Sequence, residues 1–204
     1  EGQTVETGGI VTAVNFSGGR YFISSSAGGA WNGIYIYDNT YSPSIGDSII
    51  ITGQVYEYKG LTELKSLTSF ETISSFNPLP QPAPINTSQV TDEAYEGVFV
   101  EINNCSVSSV YDAYGNWSIN DGSGESVVRD GIFNMQNTGF PLINGYEFLS
   151  VKGIVTDYYG PSLQVRQIED IQSSDNALVL SSENRDVFSD QEFLYPMKLS
   201  ILNQ

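Results

Sequence analysis

One motif occurs twice in this chain, about a hundred residues apart. Ser48-Ile-Ile-Ile-Thr-Gly-Gln-Val-Tyr-Glu-Tyr-Lys-Gly60 returns as Phe148-Leu-Ser-Val-Lys-Gly-Ile-Val-Thr-Asp-Tyr-Tyr-Gly160. Gly53, Val55, Tyr58 and Gly60 fall on Gly153, Val155, Tyr158 and Gly160. A period this long is too great for a solenoid repeat and fits a duplicated small domain. With 204 residues, each copy has roughly 70–90 residues, about the size at which one core sustains a fold.

The type of fold follows from pattern. Tyr, Val, Ile, Thr, Ser and Gly dominate, no long helical periodicity exists, and short alternating runs end at Gly, Asn, Asp or Pro. That is an all-β pattern. It predicts strands at Thr4–Asn15, Arg20–Ser25, Gly33–Asp38, Asp47–Tyr58 and Glu63–Ile73. In the second copy it predicts Gly97–Val110, Trp117–Asn120, Ser126–Asp130, Glu147–Asp157 and Leu163–Ile171. Asn77-Pro-Leu-Pro-Gln-Pro-Ala-Pro84 separates the copies. Its prolines lack N–H groups, so it is expected to stay out of the sheets as a semi-rigid spacer. The expected layout is a first domain at 1–76, a linker at 77–93, a second domain at 94–172 and a tail at 173–204.

Charge and composition narrow the function classes. Eight basic residues face 24 acidic ones, for a net charge of −16. Residues 1–85 carry −4, residues 86–172 carry −9 and residues 173–204 carry −3. No segment is basic, so the counterion release that drives nucleic-acid binding has little to act on. There is no histidine, which removes Ser-His-Asp and Cys-His machinery. The single cysteine, Cys105, sits in an alternating apolar run and reads as core. No apolar run approaches the roughly 18 residues of a membrane helix. The chain opens on Glu1, which reads as a segment whose signal peptide, if any, is already absent.

Five strands with a long fourth strand bent at a glycine resemble the oligonucleotide/oligosaccharide-binding (OB) fold, a small Greek-key barrel. The wording Arg20-Tyr-Phe-Ile-Ser, Gly33-Ile-Tyr-Ile-Tyr-Asp, Ile45-Gly-Asp, Thr52-Gly-Gln-Val and Tyr58-Lys-Gly-Leu61 resembles OB modules of secreted bacterial proteins. Such modules often stand beside extracellular nuclease domains. Tyr95-Glu-Gly-Val-Phe-Val-Glu-Ile and Trp117-Ser-Ile-Asn-Asp-Gly-Ser-Gly are similar to OB-like domains of secreted and surface proteins of Bacteroidetes. Phe193-Leu-Tyr-Pro196 resembles the opening of a type IX secretion sorting domain, although Met197 replaces the usual Asn and no second Pro follows. The resemblance implies two tandem five-stranded OB-like Greek-key barrels in an extracytoplasmic, non-catalytic binding or accessory module. A glycan, a nucleic acid or a protein is the implied partner; a spacer without a small ligand, or an accessory part of a nuclease, is the alternative.

OB folds bind across strands 2 and 3. The resemblance therefore directs attention to the aromatics Trp31, Tyr35, Tyr37, Tyr56 and Tyr58, whose rings could stack on bases or sugars. Alternation in Ile34-Tyr35-Ile36-Tyr37 puts the isoleucines on one face and the tyrosines on the other. If the isoleucines fill the barrel, both tyrosines are exposed, unless a loop or the sister domain covers them. The second copy has Val127 and Arg129 there. Tyr158, Tyr159 and Arg166 form a second candidate patch. Tyr21 and Trp117 match each other and read as core. A nucleic-acid ligand would need a local basic groove, for which Arg20, Lys59 and Lys65 are the first copy's candidates. The oxygen-rich loops around Asp112 and at Asp121-Gly-Ser-Gly-Glu125 read first as hairpin turns. Calcium at Asp121 and Glu125 is the alternative, and neither loop has EF-hand spacing. No other cofactor is expected.

Overall fold

The computed structural model describes residues 1–16, 18–140 and 142–173. The expected sorting-domain opening at Phe193–Pro196 lies outside them.

The first copy builds five strands: β1 (Thr4–Phe16), β2 (Arg20–Ser24), β3 (Gly33–Tyr37), β4 (Ser48–Tyr58) and β5 (Leu61–Ser74). They pair in the order β1-β2-β3-β5-β4, and β4 returns to β1 to close a barrel. All pairs are antiparallel except β3 with β5. The second copy has β7 (Phe99–Ser109), β8 (Trp117–Asn120), β9 (Glu125–Arg129), β10 (Glu147–Thr156) and β11 (Ser162–Gln164). Their order is the same, with β11 parallel to β9 and β10 closing on β7. This shared order is that of the OB barrel, so the chain is all-β with two OB-like barrels.

Each fourth strand turns at the repeated glycine. Before Gly153, β10 pairs with β12 (Ile171–Ser173); after it, β10 pairs with β11. A Cβ on Gly153 would lie 2.6 Å from the Gln164 carbonyl oxygen, and one on Gly53 2.7 Å from Leu67 Cδ2. The glycines are what let a strand bend this close to its neighbour. Their sequels also agree. Lys59 and Gly60 have φ of 58° and 93°, and Tyr159 and Gly160 have 58° and 106°. In the first copy this is the two-residue primed turn that suits the twist of a hairpin.

Two expectations need correction. The spacer does enter a sheet: β6 (Ala83–Ile85) pairs in parallel with β7, Pro84 lying opposite Glu101. Proline is tolerated there because β6 is an edge strand and Pro84 needs no donor. The last strand of the second copy is also not continuous over Leu163–Ile171. It stops at Gln164, and a 3-10 turn at Ile168–Asp170 precedes β12. Arg166 explains the break. Its side chain turns inward to form a buried ion pair with Asp170, Nη2 to Oδ1 at 2.7 Å and Nε to Oδ2 at 2.8 Å.

Both barrels fill with alternating side chains. Val11, Tyr21, Ile23, Ile36, Ile49, Ile51 and Leu64 make the first core. The second includes Val100, Ile102, Cys105, Trp117, Ile119, Phe148 and Val151. Tyr21 and Trp117 are thus core, as their register implies. Burial pushes the Cys105 thiol up to about 12, so it stays protonated and inert.

A third apolar cluster joins the barrels. Ala13, Phe16, Phe22, Tyr35 and Leu61 of the first pack with Phe99 and Ile154 of the second. Polar contacts frame it. The Thr62 N–H donates to Glu96 Oε1 at 2.8 Å, the Trp31 N–H to the Ala94 carbonyl at 2.7 Å, and Arg166 Nη1 to the Thr12 carbonyl at 2.9 Å. At Gly33 and Gly97 the two backbones touch directly.

A tyrosine-lined cleft between the barrels

The outer face of β2-β3-β5-β4 carries two rows of side chains. Register places Phe22 beside Tyr35, Tyr35 beside Glu63 and Glu63 beside Tyr56. The next row runs from Arg20 through Tyr37 to Lys65, since Tyr37 pairs with Lys65 and Arg20 lies one step past the Tyr21–Ile36 pair. Same-face neighbours in a sheet are close enough to interact. The turn after β10 brings in Tyr158 from the second barrel.

These residues enclose a cleft of about 320 Å³, lined by Arg20, Tyr35, Tyr37, Tyr56, Tyr58, Glu63, Lys65 and Tyr158. Tyr58 and Tyr158 stack with centroids 6.0 Å apart and planes 29° from parallel. Tyr159 meets Tyr158 edge-on at 4.7 Å. The cations lie on rings: Arg20 Cζ is 4.2 Å from the Tyr37 centroid, Lys65 Nζ 2.9 Å from that of Tyr56, and Lys59 Nζ 5.5 Å from that of Tyr159. Cation–π attraction of this kind holds both partners in place. Glu63 is buried at the base, 4.0 Å from Lys65 Nζ. Burial pushes its carboxyl above the usual range, while Lys65 and Arg20 pull the other way.

The alternation in β3 is as the sequence implies, with Ile34 and Ile36 turned to the barrel core. Of the two alternatives left open for the tyrosines, exposed or covered, each ring takes a different one. Tyr37 is 45% exposed, but Tyr35 is only 3% exposed: Phe16 meets it edge-on at 5.3 Å, Phe22 lies 5.1 Å away, and all three belong to the apolar cluster shared with Phe99 and Ile154 of the second barrel. Tyr35 is therefore mostly wall, and Tyr37, Tyr56, Tyr58 and Tyr158 offer the accessible rings.

Trp31 is 72% exposed on the loop before β3 and does not line the cleft. Arg166 does not join Tyr158 and Tyr159 in a patch. It is buried against Asp170, with its guanidinium 3.8 Å over the Phe99 ring, as a strut between the barrels. Asp121 is likewise engaged. Its carboxylate accepts from Thr87 Oγ1 at 2.6 Å, the Thr87 N–H at 3.0 Å, Ser123 Oγ at 2.6 Å and the Ser123 N–H at 2.9 Å. Desolvation by itself would raise its pKa, but those donors together outweigh it and hold it down at about 2, and they pin the turn at Thr87–Thr91 to the β8–β9 turn. With its lone pairs so used, Asp121 is a staple, and Glu125 projects into solvent.

Two contributors were not singled out in the sequence. Glu63 reads there as an ordinary alternating strand residue. Arg129 occupies the position that Tyr37 holds in the first copy. Its Nη1 donates to the Tyr158 carbonyl at 2.7 Å and its Nη2 to the Tyr159 carbonyl at 3.0 Å. The divergent copy thus clasps the turn that carries Tyr158 into the cleft. The signal was present as the Tyr37/Arg129 mismatch in the repeat.

No protein-family model matches this sequence, and no curated protein matches it. Among solved structures the chain is similar to the Ifi202 HINa domain in complex with 20bp dsDNA, at 9% identity, TM-score 0.36, covering 79% of this chain and 94% of that one. It is similar to the tetrameric p202 HIN2 at 10% identity and TM-score 0.35, covering 81% and 92%. It is also similar to a deletion mutant of the single-stranded DNA binding protein from Thermus aquaticus, at 10% identity and TM-score 0.24, covering 92% and 97%.

Proposed function

We propose that this chain is a non-catalytic binding module and that its ligand is a neutral glycan segment held in the inter-barrel cleft. The observation that carries the reading is the convergence of accessible tyrosine rings from both barrels on one cleft with near-balanced charge. Ring faces take the apolar faces of sugars, while Glu63, Lys65, Arg20 and the tyrosine hydroxyls supply acceptors and donors for their hydroxyl groups. The two lining cations already face Tyr37 and Tyr56. Glu57 and Asp157 add negative charge nearby and the chain carries −16, so a polyanion is disfavoured. The extracytoplasmic setting rests on the sequence resemblance alone.

A second reading has one specific observation in its favour. Arg20, Lys59 and Lys65 are all the basic residues before the second barrel, and all three contact this tyrosine cluster. Rings with flanking cations are how single-stranded nucleic acid is gripped without sequence preference. Calorimetric titration with neutral oligosaccharides and with single-stranded DNA over a salt series separates the two. Glycan binding that ignores salt, and weakens about tenfold in Tyr58→Ala and Tyr158→Ala, supports the first reading. DNA binding that falls steeply with salt replaces it. Absence of both ligands refutes a site here.

A further inference from the structure

The two barrels differ at one edge. Gly53 pairs with Val5 and Gly153 with Val100, so Val5-Glu6-Thr7 of β1 corresponds to Val100-Glu101-Ile102 of β7. In the second barrel those three residues carry β6 on their other side: Ala83 opposite Val100, Pro84 opposite Glu101, Ile85 opposite Ile102. Ala83 and Ile85 face inward and are buried, and Pro84 faces out. In the first barrel β1 pairs with β4 over Thr4–Ile10 and meets β2 only from Ile10 onward. Among the described residues, no strand pairs with the remaining edge of Thr4–Gly9.

The direction of the vacant bonds follows from the proline. In a parallel ladder one member of each opposed pair supplies both bonds. Pro84 has no N–H, so Glu101 must be the member that uses its N–H and C=O toward β6. Backbone groups alternate along a strand, which turns Val100 and Ile102 to β10. In the same register Val5 and Thr7 bond β4, while Thr4, Glu6 and Gly8 present N–H and C=O outward. The side chains agree. Val100 and Ile102 are fully buried beneath β6, whereas Val5 and Thr7 remain half-buried. Natural edges are usually guarded by proline, lysine or a bulge. Thr4–Gly9 has no proline or lysine, its one charge is the exposed Glu6, and its pairing with β4 is regular.

We propose that this edge receives an added strand from another protein: an extended, proline-containing peptide with apolar residues at alternate positions, lying parallel to β1. The chemistry is that of β6, whose Ala-Pro-Ile sequence does this at the matching edge. Parallel addition also distinguishes the partner from a second copy of the chain. Two identical edges related by a two-fold axis normal to the sheet would run antiparallel. Main-chain bonds would provide the affinity and the alternate side chains the selectivity.

The test uses the whole chain and the hexapeptide Gln-Pro-Ala-Pro-Ile-Asn, the sequence of residues 81–86. Amide exchange and peptide titration are followed by NMR. In the free protein the Glu6 amide should exchange at least about 100-fold faster than that of Glu101. The peptide should shift Thr4, Glu6 and Gly8 and slow Glu6. Glu6→Pro removes the outward donor at an edge position where proline is tolerated; its spectrum should keep the barrel signals while peptide affinity drops about tenfold. Slow Glu6 exchange without peptide, no binding at millimolar peptide, or equal binding to Glu6→Pro each overturns the proposal. So does protein-concentration-dependent slowing of Glu6, which would assign the edge to a second copy.

Discussion

Replacing Gly33 by alanine tests how the barrels meet. Gly33 opens β3 with no left-handed φ, so alanine suits its backbone and any effect is steric. The added Cβ would lie 2.2 Å from the Gly97 carbonyl oxygen, 2.4 Å from its carbon and 2.7 Å from the Val98 nitrogen. Side-chain carbons essentially never come closer than 3.0 Å, so the backbones must part by at least 0.8 Å. Neither is free to yield. β3 is held between β2 and β5, and the Gly97 N–H is bonded to the Val155 carbonyl at 2.8 Å. The strain of overpacking, about 1–3 kcal/mol, should therefore appear as lost stability. For a protein of this size that lowers Tm by about 3–10 °C. Calorimetry would read the shift, and near-ultraviolet circular dichroism would show the altered setting of the interface aromatics. An alanine variant that melts within about 1 °C of the parent would refute direct backbone contact at this position.

Arg166→Met should lower stability by about 3–5 kcal/mol in urea titrations, because Asp170 is then buried without its partner; a change below about 1 kcal/mol would remove Arg166 as a strut. Glu96 is raised from the ordinary 4.5 to about 7, chiefly by burial, against the Thr62 N–H bond that favours its charged form. Its folded form thus holds a proton that the unfolded chain has released, so stability falls as pH rises through 4.5 to about 7. Glu96→Gln should match the parent at pH 4 and exceed it at pH 8 in thermal melts, and equal melts at both values would contradict the assignment. Gly60→Ala, at a φ of 93°, should destabilise by about 1 kcal/mol, read by the same melts.

What the sequence made legible was local. A barrel strand that serves two neighbours must bend, and only glycine permits the approach seen at Gly53 and Gly153, so the repeat exposed the architecture. Alternation sorted Ile34 and Ile36 from Tyr35 and Tyr37 correctly. What stayed hidden depends on how the barrels dock. Cover by the sister domain is an alternative the alternation leaves open, but nothing near Tyr35 signals that it joins Phe99 and Ile154 in one apolar cluster. Gly33 and Gly97 touch across 64 positions of chain, with no pattern linking them. Arg166 follows Tyr158 and Tyr159 closely in the chain, yet Asp170 draws it to the opposite duty. Ala83–Ile85 reads as spacer because prolines crowd it, although a three-residue edge strand needs few donors.

The difference between Tyr37 and Arg129 at matching positions bears on whether either barrel can stand alone. One copy keeps a ring at that position; the other carries a guanidinium that sets the ring of Tyr158 against the first copy. Seven of the eight residues lining the cleft come from the first barrel and Tyr158 from the second, so excising or swapping either barrel would open it. If the cleft is the site proposed above, the two barrels have to be kept together as one unit, and its ligand is set at their seam rather than by either fold alone.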